Sequence, residues 1–335
     1  MADVSARHLG IPALFVFLAG SFLQQPQPAP APSAAPASLA RYTLVQQVEF
    51  PLAVADADHT PGLALCPDGT LYAGIRGTGL KAFDATGKLL LTDSSIVLPR
   101  YPECYACDAQ RHLYTTERKL SIYEPTNDGK LKQLSSNGMH AVLKRVLIVP
   151  DGTIYAVSYD PKGRLSLVTV SKDGKILRSF GDHPVEKSYG FANRIGILAW
   201  DAVNSRLIYD APGGLDLRFF DAKGKELEPK TIYKTDRSPN GPPRLVPSPS
   251  LKNLVSLPNG QFLAEELTNS EKMDKYFTNL RVYDASLNAI SNLVPTTKEG
   301  SLIGATEDGS LYFLRSLTGG KLSIVRATFH VEPVK

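Results

Sequence analysis

Val146-Leu147-Ile148-Val149-Pro150-Asp151-Gly152-Thr153-Ile154-Tyr155 is the stretch that decides the fold. An apolar run reaches a tight turn, and an apolar pair follows. Asp-Gly accepts the positive φ that a tight hairpin turn needs, so the phrase predicts two antiparallel strands joined near Gly152. The phrase recurs over residues 63–72, 254–263 and 302–312, and weaker copies end at Leu113-Tyr114 and Leu207-Ile208. Its anchors Leu71, Leu113, Ile154, Leu207, Phe262 and Leu311 are spaced by 42, 41, 53, 55 and 49 residues. That makes six repeats.

A second phrase follows the first four copies: an extended segment, a Gly-Lys turn at Gly87-Lys88, Gly129-Lys130, Gly174-Lys175 or Gly224-Lys225, and another extended segment. The fifth copy, ending at Leu287-Asn288, replaces the glycine. Two hairpins per repeat give four strands, and four-stranded units of about 40–50 residues are the signature of propeller blades. The sequence therefore predicts an all-β fold, a six-bladed β-propeller of four-stranded antiparallel blades.

The sixth repeat ends one strand short, because only a few residues follow its third strand near Phe329. Residues 43–50 offer the missing one, with Leu44, Val48 and Phe50 on one face by the period-2 rule. This segment is expected to pair as the outer strand of the last blade and close the ring, protecting an exposed edge.

Across Arg41 to Phe329 the repeats resemble the NHL-type and TolB-like six-bladed propellers. The Pro-Asp-Gly-Thr phrase is shared among many propellers, so the resemblance implies architecture and says little about activity. A WD-repeat propeller is a poorer fit, since no Gly-His…Trp-Asp signature recurs and Trp200 is the only tryptophan.

Residues 1–40 are different material. The apolar run Ile11 to Ala19 has the length of a signal-peptide core and is short for a membrane span, and residues 24–38 are rich in Pro, Ala and Gln. The expected division is a signal peptide or anchor over 1–23, a Pro/Ala-rich linker over 24–40 and a propeller over 41–331. Export to the periplasm or the extracellular space follows, or anchoring to the membrane through the N-terminal segment where it is not cleaved. The chain is expected to be monomeric.

Three cysteines occur, Cys66, Cys104 and Cys107. Cys104 and Cys107 match C-x-x-C, but on an inner strand they lie about 10 Å apart on opposite faces, too far for a mutual disulfide. No second pair exists for a structural zinc. They read as buried small hydrophobes. Gly77-Thr78-Gly79 matches a loose dinucleotide pattern, yet a strand and turn follow where a helix is required, so it reads as a hairpin.

The chain has 335 residues, 43% of them hydrophobic, and a formal net charge of +4 from 37 Lys and Arg against 33 Asp and Glu. Global disorder is excluded, and the charge balance gives no reason to expect nucleic acid. Residues just before the six inner strands should converge on one face of the ring. They include His59, Arg100, Glu103, His140, Arg145, Asn193, Arg194, Lys252 and Lys298, a set richer in cations than in carboxylates. Converging Arg and Lys around a concavity favour an anionic group. The function expected is a binding or protein-interaction module, taking a protein or a small anionic ligand at this mouth.

The alternative is a metal-dependent hydrolase, because gluconolactonase-like proteins also resemble six-bladed propellers. That resemblance implies a divalent cation held by Glu, Asn and Asp on inner strands, polarising a carbonyl and activating water. Asn193 matches the asparagine. Thr60-Pro61-Gly62 and Leu251-Lys252-Asn253 depart from the acidic positions, leaving Asp56, Asp58 or Glu103 as substitutes, the first two in a cluster with His59. No cofactor other than such a cation is expected.

Overall fold

The second strand of each blade is packed on both faces between neighbouring blades, which is why the sequence shows apolar pairs such as Leu71-Tyr72 and Ile154-Tyr155 there. The computed structural model describes residues 39–52, 62–75, 79–96, 104–116, 119–138, 142–159, 164–184, 196–211, 216–232, 250–269, 276–296 and 298–332. They form six antiparallel four-stranded sheets.

Blade 1 contains β2 (Gly62–Leu65), β3 (Leu71–Ile75), β4 (Gly79–Phe83) and β5 (Leu89–Asp93). Blade 2 contains β6 (Cys104–Cys107), β7 (Leu113–Thr116), β8 (Lys119–Pro125) and β9 (Leu131–Gly138). Blade 3 contains β10 (Val142–Ile148), β11 (Ile154–Tyr159), β12 (Arg164–Val170) and β13 (Ile176–Pro184). Blade 4 contains β14 (Ile197–Asp201), β15 (Arg206–Asp210), β16 (Asp216–Asp221) and β17 (Lys230–Thr231). Blade 5 contains β18 (Ser250–Ser256), β19 (Phe262–Asn269), β20 (Tyr276–Tyr283) and β21 (Val294–Pro295). Blade 6 contains β22 (Ser301–Ala305), β23 (Leu311–Ser316), β24 (Leu322–Glu332) and, as its outer strand, β1 (Arg41–Leu52). The first strands of the blades lie against one another in the order β2, β6, β10, β14, β18, β22 and back to β2, which makes them the inner ring.

All six sequence anchors fall in the second strand of a blade, and residues 79–83 form a strand leading into a turn, as the hairpin reading requires. The turn glycines Gly69, Gly152, Gly260 and Gly309 adopt positive φ. In the weaker copies the same left-handed position is held by Arg111 (φ 66) and Ser205 (φ 49), and in the fifth Gly-Lys copy by Leu287 (φ 58). The turns survive without glycine because other contacts support them. Arg111, for example, donates to the Asp68 carboxylate, and its carbonyl accepts from the Tyr72 hydroxyl at 3.0 Å.

Six apolar clusters fill the gaps between neighbouring blades. Leu207 and Tyr209 face blade 3, packing with Val157 and Leu167, while Ile208 between them faces blade 5 with Leu251 and Phe262. One strand thus feeds two cores.

The ring closes as the sequence predicted. β1 pairs antiparallel with β24 from Arg41 opposite Glu332 to Leu52 opposite Leu322, with one irregularity between Gln46 and Val48. Phe50 and Leu52 join Leu71 and Phe83 of blade 1 and Tyr312 and Ile324 of blade 6 in a shared cluster. Gly87 has φ 85, and a Cβ there would lie 2.5 Å from the Phe50 ring. The seam is tied by polar contacts too. The Tyr312 hydroxyl donates to the Gly69 carbonyl at 3.4 Å, Arg326 to the Ala85 carbonyl at 3.3 Å, and the Glu307 amide to the Pro67 carbonyl at 3.0 Å. At its start, the Tyr42 amide donates to Asn292 of blade 5 at 2.8 Å.

The cysteine reading needs correction. Cys66 and Cys107 form a disulfide with Cα atoms 4.9 Å apart, joining the inner edges of blades 1 and 2. The two are 41 residues apart, about one blade repeat, so the ring brings them side by side. Cys104 and Cys107 are not bonded to each other, as strand geometry required.

Phe50→Ala should cost about 3–5 kcal/mol in denaturant titration, the usual result of emptying a buried aromatic site, whereas the exposed Val45→Ala should cost under about 0.5. Replacing both Cys66 and Cys107 by Ala should lower stability by about 4 kcal/mol in the loop-entropy account, matching the loss on adding reductant to the native protein. Several turn and seam carboxyls lie below their ordinary pKa. The Thr86 hydroxyl lowers Asp84, the Thr306 hydroxyl lowers Asp308, and the Ser323 hydroxyl, helped by Arg315, lowers Glu49. A depressed folded-state pKa contributes stability above the unfolded value, and that contribution is lost as pH falls. Melting temperatures should therefore hold from neutrality down to about pH 5 and drop below about pH 4.

Candidate functional site

The inner strands β10, β18 and β22 are each broken by a bulge, and the bulges shape the mouth of the ring. In β18 the register shifts between Leu251 and Asn253. Strict alternation would send Lys252 and Asn253 to opposite sides. The extra residue sends both to blade 6: Lys252 Nζ donates to Ser301 Oγ at 2.8 Å, and Asn253 Nδ2 donates to the Leu302 carbonyl at 3.0 Å. Leu251 and Leu254, on either side of the pair, both pack into the core shared with blade 4. Bulges of this kind re-aim side chains near functional surfaces.

β10 repeats the device. Its register shifts between Leu143 and Arg145. Leu143 and Val146 both pack into the core shared with blade 2, so Lys144 and Arg145 are the consecutive pair on the side of blade 4. Lys144 and Lys252 stand at matching places, each preceded by Leu and eight residues ahead of the turn glycines Gly152 and Gly260. In β22 the pair is Ile303 and Gly304, with Gly304 so close to Leu65 of blade 1 that a Cβ would lie 3.2 Å from its side chain. Two of the six inner strands thus present a consecutive polar pair that includes a lysine, Lys144-Arg145 and Lys252-Asn253, near the end where the strands begin.

Lys252 has a buried counter-charge. Glu265 of β19 is 1% exposed and accepts from Lys252 Nζ at 3.0 Å. Burial pushes the Glu265 carboxyl above its ordinary pKa, while the Lys252 ammonium and the Leu302 backbone pull against it. The adjacent Glu266, equally buried, faces the other side of the strand and accepts from the Tyr283 hydroxyl at 2.7 Å. In blade 3 the position of Glu265, opposite Arg145, is taken by Val157.

Of the residues expected at the mouth, Arg145, Lys252 and Lys298 are described. Arg145 and Lys252 lie on inner strands, and Lys298 is exposed in the turn before β22. His59, Arg100, Glu103, His140, Asn193 and Arg194 lie outside the described residues, as do Asp56 and Asp58. Among the described residues no group of three or more His, Cys, Asp or Glu could hold a metal ion. Where the lactonase resemblance calls for an aspartate, Leu251-Lys252-Asn253 places an ammonium held by Glu265 and an amide committed to the Leu302 carbonyl. Those described groups do not fit a cation. Sequence reading missed Ser301, Glu265 and the bulge that unites them with Lys252. Among the described residues no helix is long and apolar enough to cross a membrane.

The sequence matches no protein-family model and no curated protein. Solved structures share its fold at low identity. A gluconolactonase from Xanthomonas campestris is 16% identical with a TM-score of 0.51, over 88% of this chain and 96% of that one. A luciferin-regenerating enzyme is 11% identical with a TM-score of 0.51, over 84% of this chain and 95% of that one. Hydrazine synthase of Kuenenia stuttgartiensis is 15% identical with a TM-score of 0.50, over 78% and 76%. At these identities the likeness concerns the fold alone, and the chain is a six-bladed β-propeller.

Proposed function

We propose that this protein is an exported propeller whose mouth binds an anionic group, carried by a small molecule or by a protein partner. The observation that carries the reading is the pair of bulges that set Lys144-Arg145 and Lys252-Asn253 at matching positions on the inner ring. Basic side chains around a concavity concentrate field and attract anions. Lys298, exposed just ahead of β22, adds to the same sign.

Export draws support from two features. The Cys66–Cys107 disulfide is the kind of bond that persists in oxidising compartments. The apolar run Ile11 to Ala19 followed by a Pro/Ala tract suits a secretory leader and spacer. The propeller needs no nucleic acid or membrane partner for this reading.

In thermal-shift titrations at low ionic strength, polyanions and small dicarboxylates should raise the melting temperature of the native protein, and salt should weaken the effect. Arg145→Ala combined with Lys252→Ala should reduce the apparent affinity at least tenfold, on the scale of a charge-assisted hydrogen bond at each site. Unchanged affinity in that double variant would dismiss the mouth. A stoichiometric divalent cation in the purified protein, together with lactone hydrolysis, would replace this reading with the metal-dependent hydrolase.

A further inference from the structure

The boundary between blades 5 and 6 holds a polar cluster more finished than a solvated rim requires. Glu265 sits 1% exposed, and its Oε1 takes a hydrogen bond from Lys252 Nζ at 3.0 Å. The Leu302 backbone, together with Lys252, favours the charged form of the same carboxyl against its burial. Asn253 braces the strand from within, accepting from the Leu254 amide at 3.0 Å and donating to the Leu302 carbonyl at 3.0 Å. Lys252 Nζ is thereby fixed beside Ser301 Oγ, 2.8 Å away.

Counting hydrogens shows what this arrangement leaves over. An ammonium has three N–H donors, and Glu265 and Ser301 take two of them. The Ser301 hydroxyl accepts from Lys252, so its own O–H is turned away from Nζ toward another acceptor. Among the described residues neither the third N–H nor the Ser301 O–H meets one. Both groups are open to solvent, with the Lys252 side chain 37% exposed. Two donors from adjacent blades, on atoms 2.8 Å apart and backed by a buried counter-charge, are thus left side by side.

We propose that Lys252 and Ser301 form a two-donor cradle for a single oxyanion, a carboxylate or phosphate group of the ligand, with Glu265 as the buried residue that positions the ammonium. The proposal rests on the reading of the mouth as an anion site and assigns the contact within it. Glu265 touches Lys252, not the ligand. Its negative charge offsets the ammonium, so it sets the geometry while moderating the affinity.

The test is a titration of the full-length native protein with succinate and, separately, with inorganic phosphate, read by calorimetry at low ionic strength. Saturable binding of succinate alone would assign a carboxylate, of phosphate alone a phosphoryl group, and of both an oxyanion cradle without discrimination. Lys252→Met should weaken binding at least tenfold, Lys252→Arg should restore part of it, and Ser301→Ala should weaken it about three- to tenfold. Glu265→Gln should tighten binding about three- to tenfold, because a negative charge on the far side of the ammonium from the ligand is removed while the acceptor oxygen stays. A purely structural role for Glu265 would produce no such gain. Ser301→Ala removes only a hydroxyl from a half-buried site, so it decides the matter even where the charge variants fold poorly. Binding that persists unchanged in Ser301→Ala and Lys252→Met but falls in Arg145→Ala would overturn the cradle and leave the mouth reading intact. Absence of saturable binding to the native protein would overturn both.

Discussion

The pairing of β1 with β24 is the interaction on which the rest of this structure depends. Blades in a ring have no core of their own. Each buries its two faces against its neighbours, and each of the six apolar clusters is shared by two blades. A gap anywhere would expose two faces at once. The first and last parts of the chain meet at blade 6, so a strand from the N-terminal side completes the sheet begun by the C-terminal side. The chain is thereby joined to itself without a covalent bond. Phe50, wedged between blades 6 and 1 against Gly87, turns the pairing into packing.

Closure propagates around the first part of the ring by repeated use of similar contacts. Tyr312 reaches from blade 6 to the Gly69 carbonyl of blade 1, and Tyr72 reaches from blade 1 to the Arg111 carbonyl of blade 2. The Cys66–Cys107 disulfide then fixes blades 1 and 2 covalently. A rigid ring is what allows the mouth to hold polar groups at defined separations. The bulges in β10 and β18 exploit that rigidity, because each removes a strand locally from strict alternation and turns two neighbouring side chains the same way.

Much of the fold was legible in the sequence because its signals are local and repeated. The turn phrase located every second strand, and the short sixth repeat implied that residues 43–50 would supply the missing strand. The disulfide escapes a reading of the cysteines by themselves, because their pairing becomes visible only when they are set against the blade repeat. Its signal was present: Cys66 and Cys107 are 41 residues apart and Leu71 and Leu113 are 42 apart, so the two cysteines occupy nearly matching places on adjacent blades. The candidate site was less legible. Leu251 and Leu254 share a core at a spacing of three, which a strand allows only with a bulge, but the faces must be known before that spacing has meaning. Nothing in the sequence sets Glu265 apart from other charged residues, and its role shows only in its contact with Lys252, which itself reaches Ser301 of the next blade. Most loop residues expected at the mouth, among them His59 and Arg194, lie outside the described residues.

Native-state hydrogen exchange along β1 measures the central claim most directly. If β1 closes the ring, amides of the β1–β24 ladder around Glu49 and Phe50 should exchange only through global unfolding, with the same free energy and denaturant dependence as those of β11 and β15 in the middle of the ring. Exchange of the β1 amides through local opening, several kcal/mol below the global value while β11 and β15 remain protected, would contradict the account.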